Sequence, residues 1–387
     1  MQRKFQKDLA MSGNRIIGIN LYHVKIPMKE PFRISSGEVA VKDGILIELK
    51  VKTEDKILSA FGEASPMAGS FYSNETPESV WDELITHWTF IKDFNFDDFL
   101  DEMEKLNEKM INAGLSSYAR AGFETALWDA YSKIKNIPIF EILGAERKEI
   151  ESGLAVGIYD KIDDLIRVVG NELDTGNYKR VKIKVQKGWD ITPIKVIRES
   201  FGDIPLMVDA NCAYTRDDIE HLRKFDEFEL LMIEQPLKKD DLEGHAILQE
   251  KIHTPICLDE SVDSIDKLKL AIELKSCKII NIKIQRVGGI LISKKFHDIC
   301  KREGIPVWIG TMPELGIGSA YALNLCMLDN CKFPTDVESS KRWYLDDIIT
   351  PLIDVKNGII NFTDDLSFEV NFDKIEKYTI KQKKINF

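Results

Sequence analysis

The sequence predicts an α/β protein, a (β/α)8-type barrel preceded by a smaller α+β unit, and three observations predict it. Its 387 residues exceed one barrel of roughly 200 to 250 residues and leave room for a second unit. From residue 151 short apolar runs alternate with polar helical stretches, the pattern that builds parallel strands. Five of those runs end on Lys184, Asp209, Glu234, Asp259 and Lys283, separated by 25, 25, 25 and 24 residues.

Taken in order, residues 1–15 (MQRKFQKDLAMSGNR) are polar and read as a disordered lead. Residues 16–150 read as the α+β unit. IIGINLYHVKIP alternates as a strand, and GILIELKV follows a turn expected at Lys42-Asp43-Gly44. PFRISSGEVA lies between them as a polar, Gly-containing loop. TPESVWDELITHW opens on a Thr–x–x–Glu-like helix start, and SYARAGFETALWDAYSKI has Ala-rich helical periodicity. Residues 151–340 hold the eight barrel runs: GLAVGI, RVKIKV, LMVDAN, LLMIEQPL, PICLDE, IINIKIQ, PVWIGTM and a weaker TDVES. Residues 341–387 return to mixed strand and loop, expected to pack back on the first unit. The rival architecture is a doubly wound open sheet, but no GxGxxG follows any of these strands.

A spacing near 25 residues puts each ladder residue at the C-terminal end of its own strand, the rim where barrel enzymes keep their chemistry. Buried carboxylates there need compensation. Three of them without Cys or His partners suit a hard divalent cation, Mg2+ ahead of Mn2+, and disfavour zinc. Strand alternation puts Lys182 and Lys184 on one face. Two close ammonium groups repel, which is expected to lower a lysine pKa towards working pH. With Lys283 across the ring, two bases flank a position where a carboxylate substrate could lose a proton.

Composition narrows the partners. A net charge of −11 argues against a nucleic-acid groove or an anionic membrane surface. Six cysteines without a CxxC pair, together with the absence of an 18-residue apolar stretch, lead us to expect a cytoplasmic protein with free thiols.

At these residues the sequence resembles the enolase superfamily, in its muconate-lactonising-enzyme-like subgroup, and within it the o-succinylbenzoate synthase / N-succinylamino acid racemase family. FRISSG, GEASPMAGSFYS, VKIKVQKGWD, VDANCAYT, IEQPL, TPICLDES, NIKIQRVGG, GIPVWIGTMPELGIG and SSKRWYLDDI carry the likeness, from about residue 31 to 348. The resemblance implies a modified barrel under an N-terminal capping domain. It implies Asp209, Glu234 and Asp259 as ligands of Mg2+, Lys184 and Lys283 as the acid/base pair, and Lys182 as an electrostatic helper. Asn211 and Glu260 are implied as supporting groups. The loops holding Ser35 and Met67–Tyr72 (Met67, Phe71 and Tyr72) are implied as caps over the substrate, with Arg286 and Glu314 near it. A small carboxylate substrate and a homo-oligomer are also implied. Ala155, Ser319, Ile284 and Gln285 depart from the family's common residues, and these departures bear on substrate detail.

The resemblance implies o-succinylbenzoate synthase chemistry with N-acylamino acid racemisation through the same site. A dedicated racemase is the alternative. A dipeptide epimerase is more remote: Asp336 and Glu338 in TDVES faintly resemble the Asp-x-Asp that holds an ammonium group, against the plainer reading of a solvated strand end. A Schiff-base aldolase would use a lysine but leave three rim acids without a role. A binding protein that kept an old barrel would need no acid/base pair.

Overall fold

A computed structural model describes residues 13–69 and 72–387. The lead expected over residues 1–15 lies, as far as Ser12, outside the described residues. Described structure opens with β1 (Arg15–Ile34), followed by β2 (Gly37–Lys52) and β3 (Ile57–Ala64). The C-terminal strand Thr379–Asn386 pairs antiparallel with β1, and the sheet order is C-terminal strand, β1, β2, β3. The helix Ser117–Lys135 lies on this sheet at close range. A Cβ added to Gly62 would come within 2.3 Å of the Gly122 carbonyl, so only glycine permits the approach.

Two local expectations need correction. No turn forms at Lys42-Asp43-Gly44; β2 runs straight through, paired with β1, and the chain reverses at Ser35–Ser36 instead. Lys-Asp-Gly is turn-like in isolation, but both charged residues are buried against partners from other strands. Asp43 meets His23 and Lys25, and the Lys42 ammonium lies 3.8 Å from Glu63. The helix Pro77–His87 does begin at a Thr76 capping box, but its second member is Ser79, not an acid.

The second sheet has seven parallel strands in sequential order: β4 (Leu154–Val156), β5 (Val181–Lys184), β6 (Leu206–Asp209), β7 (Ile233–Glu234), β8 (Ile256–Leu258), β9 (Ile279–Ile282) and β10 (Val307–Ile309). Helices follow most of them, as the alternating pattern requires. The expected eighth strand, TDVES, makes only a bridge. Gly153 N–H donates to the Thr335 carbonyl and Asp336 N–H to the Ile309 carbonyl, so this segment joins the first strand to the seventh. Beneath the rim Met207, Met232, Cys257, Ile279 and Trp308 form their own buried cluster. Met207, Met232 and Cys257 each stand two residues before a ladder acid, so strand alternation aims the acids up the same axis.

One buried acid outside the barrel rim makes a stability prediction. Glu124, on the helix Ser117–Lys135, accepts from Trp128 Nε1 (3.0 Å) and Leu291 N–H (2.6 Å) through Oε1, while Oε2 has no hydrogen-bond partner. A Cβ on Gly289, whose φ is +136°, would overlap Oε2 at 1.3 Å. Burial pushes the carboxyl up to about 7. Because the folded value lies above the unfolded one, its stabilising contribution is full below the ordinary carboxylate range and is lost as pH rises through about 7. Glu124→Gln keeps the Oε1 acceptor and removes the titration. Between pH 5 and pH 8 the difference in unfolding free energy is expected to move in the variant's favour by about 2.5 kcal/mol. An unchanged gap would show that Glu124 does not titrate in this window.

Candidate active site

The five ladder residues stand at consecutive strand ends around one mouth. Lys184, Asp209 and Glu234 are the last residues of β5, β6 and β7, while Asp259 and Lys283 directly follow β8 and β9. Register places Lys184 beside Asp209 and Asp209 beside Glu234. All five are buried. Lys184 Nζ donates to Asp209 Oδ2 (2.5 Å) and Asn211 Oδ1 (2.9 Å); Asn211 in turn donates from Nδ2 to Glu260 Oε1 (2.9 Å). Left-handed backbone at Asn211 (φ 43°) and Cys212 (φ 64°) turns the amide back over the strand end. Across the mouth, Lys283 Nζ donates to Asp259 Oδ2 (2.6 Å) and lies 3.3 Å from the Tyr72 hydroxyl.

Lys182 faces the same interior, 3.2 Å from Glu234 Oε2 and 3.9 Å from Asp209 Oδ2. Its nearest partner is one that sequence reasoning misjudged. Asp336 is not solvated but buried, with one oxygen on Lys182 and the other 2.7 Å from Arg180. Arg180 just before β5 and Lys182 on it, two residues apart and so on one face, were the available signal for such a counter-ion. Burial alone would push the Lys182 ammonium down, but Asp336, Glu234 and Asp209 together hold it above the usual lysine range. The expectation that mutual repulsion lowers the lysines therefore fails for Lys182. Glu338 is also buried; it accepts from Ala155 N–H (2.9 Å) and faces Arg342 at 3.0 Å. Both oxygens of Asp336 are engaged by Lys182 and Arg180, whereas Glu338 Oε2 has no hydrogen-bond partner.

Ser35, at the tip of the β1–β2 hairpin, donates to the carbonyls of Ala210 (3.1 Å) and Asn211 (3.2 Å), so the hairpin is pinned onto the end of β6. Arg286 contacts Asp259 Oδ1 and donates to the Val262 carbonyl (3.2 Å). Met67 shares a small cleft with Met312 and Tyr344. Glu314 accepts from Met312 N–H (3.0 Å), and burial, opposed by Lys42, pushes its carboxyl up to about 7. Phe71 lies outside the described residues.

Asp209, Glu234 and Asp259 are the donor set a hard cation would use: all oxygen, all anionic, on neighbouring strand ends. Burial and the charge of Asp209 push the Glu234 carboxyl up, and the buried Oε2 of Glu260 next to the set has no hydrogen-bond partner. Both observations mark an excess of negative charge that a cation fits. In this structure the acids are drawn towards Lys182, Lys184, Lys283 and Arg286. Among the described residues, the one group of three ligand residues with all donor atoms within 4.8 Å is instead His23 and Asp43 on the N-terminal sheet with Glu78 on the helix Pro77–His87. There the Lys25 ammonium, 2.9 Å from Asp43, already compensates the charge.

Comparison with known proteins agrees with this geometry. Residues 16–144 match the mandelate racemase / muconate lactonizing enzyme N-terminal domain, and residues 164–374 match the enolase C-terminal domain-like family. The chain is 40% identical to an o-succinylbenzoate synthase of Geobacillus kaustophilus, over 93% of this chain and 94% of that protein. It is 37% identical to an N-succinylamino acid racemase of an Amycolatopsis species, over 88% and 90%. A dipeptide epimerase of Enterococcus faecalis, solved with Mg and a dipeptide, superposes with a TM-score of 0.83 at 25% identity, over 92% of this chain and 99% of that one. With both halves of its fold matched and the acids and lysines of the ladder gathered at one mouth, this chain belongs to the enolase superfamily, in its mandelate racemase / muconate lactonizing enzyme group.

Proposed function

We propose that the protein is an o-succinylbenzoate synthase. It would dehydrate a succinyl-hydroxycyclohexadiene carboxylate in menaquinone synthesis and also racemise N-succinylamino acids at the same site. The observation that carries this reading is the pair Lys184 and Lys283 on opposite sides of three buried acids. Asp209, Glu234 and Asp259 would hold a divalent cation, Mg2+ ahead of Mn2+. When bound, that ion supplies positive charge to the substrate carboxylate and so favours loss of the neighbouring proton.

Lys184 takes the α-proton on its Nζ, with Asn211 and Asp209 orienting it. As the C–H bond breaks, the electron pair enters the ring and the ring C–O bond breaks; the departing hydroxyl takes the proton that Lys184 has just accepted and leaves as water, which returns Lys184 to the neutral amine. Lys283 stays charged through this step, and Lys182, held protonated by Asp336, adds a second fixed positive charge. In racemisation the two lysines exchange roles, one removing the proton and the other returning one to the opposite face. Arg286, Glu314, Met67 and Tyr72 border the space where the rest of the substrate would lie. We place the enzyme in the cytoplasm as a homo-oligomer; among the described residues no helix is long and apolar enough to cross a membrane.

The deciding assay compares kcat/KM for the cyclohexadiene substrate and for a panel of N-succinylamino acids, with Mg2+ present. Dehydration should be catalysed, with racemisation alongside. Racemisation without dehydration would overturn the synthase reading and leave a dedicated racemase.

A further inference from the structure

We infer that Gln285 is a positioning residue that clamps the N-terminal sheet to the end of β9 and thereby sets substrate affinity. This rests on the proposed function for its kinetic half only. Gln285 sits between Lys283 and Arg286 in the helical turn Ile284–Val287 and is 1% exposed. No catalytic or ligand role described above uses it, and the sequence marks it as a departure from the family's residues. Its side-chain amide pairs with a backbone 220 residues away as another strand would: Ser65 N–H donates to Gln285 Oε1 (2.9 Å) and Gln285 Nε2 donates to the Glu63 carbonyl (2.9 Å).

The strand it grips is itself anchored. The Glu63 carboxylate, also fully buried, accepts from Ser65 Oγ (2.6 Å), Leu315 N–H (2.8 Å) and Gly318 N–H (2.8 Å). Leu315 provides no side-chain cap to the helix Gly316–Cys326; Glu63 from the N-terminal sheet, together with Asp347, which accepts from Gly316 N–H (3.0 Å), provides the anions at that helix's first turn. Gln285 and Glu63 together lock three pieces in register: the residues after β9, the end of β3, and the loop and helix after β10. Met67, two residues beyond Ser65, lines its cleft with Met312 from that loop.

Lys283 is held by its own strand and most closely by Asp259 (2.6 Å), with the Tyr72 hydroxyl farther off at 3.3 Å, whereas the β3 end meets β9 through Gln285. Loss of the clamp therefore loosens the wall of the substrate space and leaves the proton-transfer groups in place. A near-isosteric variant, Gln285→Met, fills the same volume without either hydrogen bond. Amide hydrogen exchange and steady-state kinetics are measured on the full chain with Mg2+, beside the wild type. We expect exchange at Ser65 N–H to accelerate at least tenfold, and KM for the cyclohexadiene substrate to rise about tenfold with kcat within threefold. Unchanged exchange at Ser65 would overturn the clamp. Faster exchange with KM unchanged, or a fall in kcat alone, would overturn its role in affinity. A wild type inert on both substrate classes would instead overturn the proposed function, and the affinity role with it, while the exchange result judges the clamp separately.

Discussion

Replacement of Lys184 by alanine is expected to lower dehydration and racemisation by roughly 10²–10⁴-fold, the range a positioned general base contributes. Water is no substitute for it, being a far weaker base than the Lys184 amine that Asp209 and Asn211 hold in place. Lys184→Arg separates charge from basicity: guanidinium keeps the positive charge but does not give up its proton near neutral pH. This variant should be as dead as Lys184→Ala in both reactions. Lys283 is expected to differ. Its alanine variant loses both reactions, but Lys283→Arg should retain a measurable share of dehydration, where only the charge is needed, and lose racemisation, where a base is needed. Equal loss of both reactions in Lys283→Arg would mean that Lys283 moves a proton in the dehydration as well.

Metal removal should have the next largest effect. Chelation is expected to abolish both activities and Mg2+ to restore them. A second readout needs no substrate: an ion that binds only the folded chain stabilises it, by about 2.7 kcal/mol at a hundred times its Kd, so the unfolding temperature should climb with Mg2+. Glu234→Gln removes one of three anionic donors while keeping the side-chain shape and an acceptor for Asn281, which donates to Glu234 Oε1 at 2.6 Å. The Mg2+ concentration for half-maximal stabilisation should then rise by about 100-fold or more, in line with the loss caused even by supporting groups around a metal. A variant that binds Mg2+ as the wild type does would remove Glu234 from the ligand set.

The parts of this molecule legible in the sequence are those written in local periodicity. Strand–helix units of nearly constant length put Lys184, Asp209, Glu234, Asp259 and Lys283 at successive strand ends, and the structure gathers them at one mouth. What could not be read depends on partners distant in the chain. Lys42-Asp43-Gly44 has turn chemistry, yet His23, Lys25 and Glu63 make it a buried strand segment. Asp336 lies in a weak run, and only the proximity of Arg180 and Lys182, more than 150 residues earlier, explains its burial. Gln285 was visible as a departure, but its grip on residues 63 and 65 has no local signature. The substrate's side group is bordered by such long-range contacts, which is why the chemistry was readable before the substrate.

The central claim is that two opposed lysines exchange a proton at a carbon next to a carboxylate. Incorporation of deuterium at the α-carbon of each enantiomer of an N-succinylamino acid, followed in D2O with Mg2+, measures this most directly. The account predicts exchange of both enantiomers by the wild type, with Lys184→Ala and Lys283→Ala each losing exchange from a different enantiomer. Exchange of both enantiomers surviving in either variant, or borohydride trapping of substrate on a lysine, would contradict it.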